Sequence, residues 1–113
     1  GRLHGEGRRG DVIITGGENV WPDPVQAAIA AHPAVADVAV AGVPDPEWGQ
    51  AVAAWIVVRD GHTLPTVAEL RALVTQTLPA FAVPKVVRRA ATLPRTALGK
   101  LRRHELTATA HHH

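Results

Sequence analysis

The chain is predicted to fold as an α+β domain, a small two-layer sandwich in which a short, mainly antiparallel sheet is covered by helices. Three observations predict this. Segments with strand-like and helix-like patterning follow one another in mixed order, not in strict βαβ alternation. Hydrophobic residues make up 46% of the chain, chiefly Ala, Val and Leu, which is a globular composition and not a disordered one. A length of 113 residues suffices for one core but leaves no room for a second.

The elements follow from local chemistry. Residues 1–9, rich in Gly and Arg, read as the remnant of a preceding domain and its linker, with a boundary at Gly10. Residues 10–110 form the domain, and the three histidines 111–113 read as a tag. The β-branched run 11–15 is a strand entering a turn at Gly16 and Gly17, where glycine permits positive φ without steric cost. Pro22 and Asp23 start a helix whose face carries Val25, Ala28, Ile29 and His32, and Pro33 stops it. Residues 35–43 and 51–59 are strand-like and flank a loop of helix and strand breakers, which suggests an antiparallel pair. Thr66 caps a second helix with Glu69 three positions on, and Val67, Leu70, Leu73, Val74 and Leu78 form its buried stripe. Pro79 and Pro84 confine a connector to a strand over residues 86–91, and residues 101–109 read as a terminal helix.

Composition removes several chemistries. The chain has no cysteine, which excludes disulfides, thiolate metal sites and cysteine nucleophiles and suits a reducing compartment. His4, His32, His62 and His104 are scattered without ligand spacing, so no metal site is expected in this domain. The longest apolar run, residues 51–58, is far short of a membrane span, and the chain opens without a signal-peptide pattern, so a cytoplasmic location is expected.

Charge is uneven along the chain. Residues 1–84 hold five basic and nine acidic side chains, a net −4, while residues 85–113 hold seven basic and one acidic, a net +6. The basic segment can attract a polyanion such as nucleic acid, a nucleotide or a phosphorylated cofactor, or it can be a solvated face.

Within that segment Lys100 stands out, one of two lysines beside ten arginines, in a loop punctuated by Pro94 and Gly99. A compact ammonium on a flexible stem suits a point contact with a shifting negative charge better than a guanidinium does. A solvated surface lysine is the plain alternative. A phosphate-cradling P-loop is excluded, because Pro94 stands where its first glycine belongs and Leu101 where its Ser or Thr belongs. Trp48, in a polar Pro/Asp/Glu/Gly loop, is either a ligand contact or a packed loop anchor, whereas Trp55 lies inside an apolar strand and reads as core.

Taken together, Gly7-Arg8-Arg9-Gly10-Asp11-Val12-Ile13-Ile14-Thr15-Gly16-Gly17-Glu18-Asn19-Val20-Trp21-Pro22 and Leu93-Pro94-Arg95-Thr96-Ala97-Leu98-Gly99-Lys100 resemble the two signature motifs of the C-terminal domain of adenylate-forming enzymes. That superfamily includes acyl-CoA synthetases, peptide-synthetase adenylation domains and luciferases. The GGEN run followed by an aromatic residue and Pro is most similar to acyl- and aryl-CoA ligases, including o-succinylbenzoate:CoA ligases.

The resemblance implies an acid–thiol ligase acting in two steps, with ATP and CoA as substrates, Mg accompanying ATP, and a small carboxylic acid chosen by a large N-terminal adenylation domain. The isolated domain is then expected to be inert. Lys100 matches the adenylation lysine, in contact with ATP or AMP, and Arg8 matches an arginine near the nucleotide. Gly10 matches the hinge about which the small domain swings, where many members carry Asp, Lys or Ser. Gly16, Gly17, Glu18 and Asn19 match the loop lining the CoA tunnel, a segment that by itself reads as a plain hairpin turn. Trp48, Phe81 and Lys85 match CoA contacts, while Val83 departs from a position where a basic residue can appear. Two other expectations compete: a free-standing module for nucleic acid or another polyanion, and a domain acting in trans with a separate adenylating subunit. The paired motifs make nucleic acid the less favoured partner, and no membrane partner is expected.

Overall fold

In a computed structural model the described residues are 12–103, 105 and 106. Strand β1 (Ile13–Thr15) turns into β2 (Glu18–Val20), helix α1 (Pro22–Ala30) follows, and β3 (Val35–Asp45) and β4 (Gly49–Val58) form a long hairpin. Helix α2 (Val67–Val74), a 3₁₀ turn (Ala80–Ala82) and β5 (Val86–Arg89) complete the α+β fold. No helix among the described residues is long and apolar enough to cross a membrane.

The five strands form one sheet in the order β2-β1-β4-β3, with β5 also on β4. The β1–β2, β1–β4 and β3–β4 pairings are antiparallel; β5 alone pairs in parallel, from Ala53↔Val86 to Ile56↔Arg89. β1 meets β4 at Thr15↔Gly49, so β1 and β5 divide one edge of β4 while β3 takes the other.

β4 is buried on both faces, which explains its continuous apolar run. Val52, Ala54 and Ile56 join Val38, Val40, Val25, Ile29, Leu70 and Val74 in a core beneath the two helices. Ala53 and Trp55 point the other way and pack with Ala39, Ala41 and Leu106, flanked by Leu93 and Leu101. The second face is therefore closed by the C-terminal segment, and Trp55 is core as the sequence suggests.

Both helices start where capping chemistry puts them. Pro22 occupies the first helical position of α1, where its missing N–H costs nothing, and α2 opens with a full capping box between Thr66 and Glu69. Three details differ from the sequence reading. Val67, the first residue of α2, is exposed, while Leu70 and Val74 carry the burial. His32 lies past the end of α1, and its Nδ1 accepts from the Ala34 amide at 3.0 Å instead of extending the apolar stripe. Leu101 pairs with Arg95 in an isolated β-bridge, so the helical turn starts after it; residues 103, 105 and 106 are helical.

Burial ranks the consequences. Ile56→Ala removes a fully buried side chain from the central strand and is expected to cost about 2–5 kcal/mol of stability. Thr66→Ala loses only the cap and is expected to cost about 1 kcal/mol. Urea denaturation of the two variants beside the parent chain checks both values and their order.

Candidate functional site

The glycine turn is a two-residue hairpin loop. Gly16 (φ 58°) and Gly17 (φ 83°) both take the left-handed conformation that such a loop demands. The Gly16 amide donates to the Trp48 carbonyl at 2.9 Å, tying this turn to the tip of the β3–β4 hairpin. The indole lies so close that a Cβ built on Gly16 would stand 2.6 Å from Trp48 Cε3; one built on Gly17 would meet nothing within 4 Å. Gly16 is therefore required twice, by its φ and by the ring against it.

Trp48 is also met by a cation. Lys85 Nζ sits 3.9 Å from the ring centroid, in cation–π distance, and the Lys85 amide donates to Val52 O at 2.9 Å, which fixes that segment to β4. The ring remains 42% exposed, so it is both a loop anchor and an accessible aromatic surface. Asp45 builds the tip: its Oδ1 accepts from the amides of Glu47 (2.8 Å) and Trp48 (2.9 Å). These bonds, that from Trp48 first, outweigh slight burial and act with the nearby Lys85 charge to hold the Asp45 carboxyl below its usual range.

Phe81, Asn19 and Trp21 line a neighbouring cleft of about 110 Å³ with Pro24, Leu78 and Pro79. Glu18 is exposed at the start of β2. Val83 is buried in the helix-side core, only 4% exposed, and offers nothing to a ligand.

Lys100 belongs to a different end of the molecule. Its loop is closed by the Arg95–Leu101 bridge, by the Thr96 amide donating to Lys100 O at 2.7 Å, and by Gly99 at φ 87°. Thr96 Oγ1 accepts from the amides of Leu98 and Lys100, each at 3.2 Å. Arg95 then fastens the loop to the sheet. Its Nη1 donates to Gly99 O at 2.9 Å, and its Nη2 reaches both carboxylate oxygens of Asp37 at 2.7 and 2.8 Å. Downstream, Arg103 Nε donates to Val40 O at 2.8 Å and its Nη2 to Gln26 and Asp23, closing the outer edge of β3.

These ties also change the reading of the basic segment. Arg95, Arg102 and Arg103 are engaged with Asp37, Glu105 and Asp23. Among the described residues Arg88, Arg89 and Lys100 make no ion pair, so the segment is not one continuous cationic face. No group of three or more His, Asp or Glu side chains gathers as a metal site among the described residues. Arg8 and Gly10 lie outside them.

The structure thus brings Gly16, Trp48 and Lys85 together, sets Asn19 and Phe81 in the adjoining cleft, and places Lys100 apart. Asp37 pairs with Val57 on β4, whereas Trp48 adjoins Gly49. Eight residues of extended strand separate these ends by about 26 Å. Asp37, Asp45 and Thr96 escaped the sequence reading. Only Asp45, in a Pro-Asp-Pro run at a turn, carried a local signal.

The fold has counterparts. Residues 25–100 match the family described as the AMP-binding enzyme C-terminal domain. The chain belongs to that family. It is 47% identical over 97 residues to the "Probable 2-succinylbenzoate–CoA ligase" of Mycobacterium tuberculosis, an alignment covering 86% of this chain and 25% of the relative. Its fold is similar to that of an acyl-CoA synthetase from Brucella canis, with a TM-score of 0.80 and 36% identity over 88% of this chain and 19% of the other. It is likewise similar to o-succinylbenzoate CoA synthetase (MenE) from Bacillus subtilis, solved with the acyl-adenylate intermediate OSB-AMP: TM-score 0.76, 36% identity, 87% and 20% coverage. The chain spans about a fifth to a quarter of the length of these relatives. It is a domain of the adenylate-forming acyl-CoA ligase family.

Two outcomes are expected at the glycine turn. Gly16→Ala should cost about 1–3 kcal/mol for the strained φ, plus the displacement of Trp48, while Gly17→Ala pays the φ strain alone. Tryptophan emission and thermal unfolding distinguish them. Because the folded-state pKa of Asp45 is depressed, its contribution is present above the ordinary carboxylate pKa and is lost as pH falls through the folded value. Asp45→Asn should flatten the acid side of the stability–pH profile, measured by unfolding between neutral and strongly acid pH.

Proposed function

We propose that residues 10–110 are the mobile C-terminal domain of an ATP-dependent carboxylate:CoA ligase. In the first step a carboxylate oxygen attacks the α-phosphorus of Mg-bound ATP and pyrophosphate leaves. In the second, the thiol of CoA attacks the acyl carbonyl and AMP leaves. The names of its relatives put 2-succinylbenzoate first among the carboxylates to test.

The feature that supports this reading is that the glycine turn and the lysine loop attach toward opposite ends of one hairpin, where Gly49 and Val57 of β4 are about 26 Å apart along extended strand. One small domain can then serve two steps only by presenting one end and then the other to a common site. Arg8, near the nucleotide, and Gly10, as the hinge, precede the described residues; glycine absorbs a large φ/ψ change easily.

At the lysine end, the exposed Lys100 ammonium reaches into a partner site on the N-terminal adenylation domain. There it aligns the carboxylate and the α-phosphate, two anions that repel one another, and stabilises the charge that grows between them. At the other end, Gly16, Gly17, Glu18 and Asn19 line the path of the pantetheine arm, where Gly17 leaves open space for close backbone approach. Trp48 offers a half-exposed ring to the adenine, Lys85 a cation to a phosphate, and Phe81 a second apolar surface. Since Val83 is buried, Lys85 carries the basic contact at this end among the described residues. Without its partner domain the chain holds neither the ATP nor the acyl half of the site and is inert.

In the longer enzyme, Lys100→Ala is expected to lower ATP–pyrophosphate exchange by about 10²- to 10³-fold or more while sparing thioester formation from supplied acyl-adenylate. An equal loss in both assays overturns the assignment of the lysine.

A further inference from the structure

We infer that the Asp37–Arg95 pair is the positioning device for Lys100, and that it acts on the adenylation step alone. This rests on the reading of Lys100 given above. The guanidinium does two things at once. One nitrogen holds Gly99 O, the carbonyl immediately before the lysine, and the other is shared between both oxygens of Asp37 near the start of β3. The loop's own hydrogen bonds, through Thr96 and Gly99, give it a shape, and Leu93 and Leu101 pack its two ends against the sheet. Arg95 adds the polar tie that reaches the peptide immediately before Lys100. Through it, the peptide that carries Lys100 is referenced to a strand that pairs in continuous register with β4 from Asp37 to Asp45.

The energetics separate this role from a stabilising one. Both partners are more than a third exposed, 36% and 39%, so solvent screens the pair and its share of global stability is small. Placement is another matter. A displacement of about 1 Å at a group that must touch two reacting anions can cost on the order of 10²-fold in rate. The fork geometry is also specific to arginine, because a lysine at position 95 keeps the charge but cannot hold Gly99 O and Asp37 together. Leu98, 87% exposed at the loop tip, contributes no packing that would substitute for the clamp.

The test uses the longer enzyme for the two half-reactions and the present chain for amide exchange. Asp37→Asn and Arg95→Lys are each expected to reduce ATP–pyrophosphate exchange by about 10- to 100-fold, while leaving thioester formation from supplied acyl-adenylate within about twofold. Hydrogen exchange at the Gly99 and Lys100 amides should accelerate, with the unfolding midpoint unchanged. In a Lys100→Ala background neither substitution should lower adenylation further. Unaltered adenylation in Asp37→Asn beside a dead Lys100→Ala enzyme overturns the clamp and leaves the lysine assignment standing. A Lys100→Ala enzyme with full adenylation removes the lysine assignment, and the clamp's purpose with it. Equal losses in both half-reactions, or a lowered unfolding midpoint, mark the pair as structural only and also overturn the proposal.

Discussion

Burial of β4 on both faces and along both edges is the constraint on which the rest of this fold depends. Each of its residues from Ala51 to Ile56 is enclosed, alternately under the helices and under the C-terminal segment. Such a strand has no solvent face, so it tolerates only small or apolar side chains, and it must find hydrogen-bond partners on both sides. β3 satisfies one side completely. The other is divided: the hairpin carrying the glycine turn takes its beginning, and β5 takes its middle.

That division determines where chemistry can sit. The start of β4 lies beside the glycine turn, so Gly16 and Trp48 become neighbours through one edge pairing and one backbone hydrogen bond. β5 brings Lys85 to the same end because it runs parallel to β4 and begins near its start. The chain that leaves β5 then travels toward the far end of the hairpin, where Asp37 receives Arg95. Parallel pairing of one short strand is thus what sends the two signature segments to opposite ends.

Local features of this arrangement were legible in the sequence because their causes are local. Thr66 with Glu69, Pro22 at a helix start and the Gly16-Gly17 turn each depend on residues within a few positions. Trp55 as core followed from the apolar run around it. Features with distant causes were not legible. The Asp37–Arg95 pair joins residues 58 apart in sequence, and nothing near either one marks it. The parallel sense of β5 depends on which edge of β4 is vacant, and the stacking of Trp48 on Gly16 on a register contact. Val67 fits the helical stripe by spacing, yet it stands exposed at the start of α2. Lys100 and the GGEN segment were found as motifs, but their separation by the length of a hairpin emerges only from the fold.

The length of that hairpin has an evolutionary meaning. Substitutions more than about 7–10 Å apart, without shared partners, have effects that add. The Trp48 and Lys100 ends exceed that distance and share only the backbone of β3 and β4. Lineages can therefore remodel the aromatic end without retuning the lysine end. A domain built on one long hairpin leaves its two ends free to drift separately.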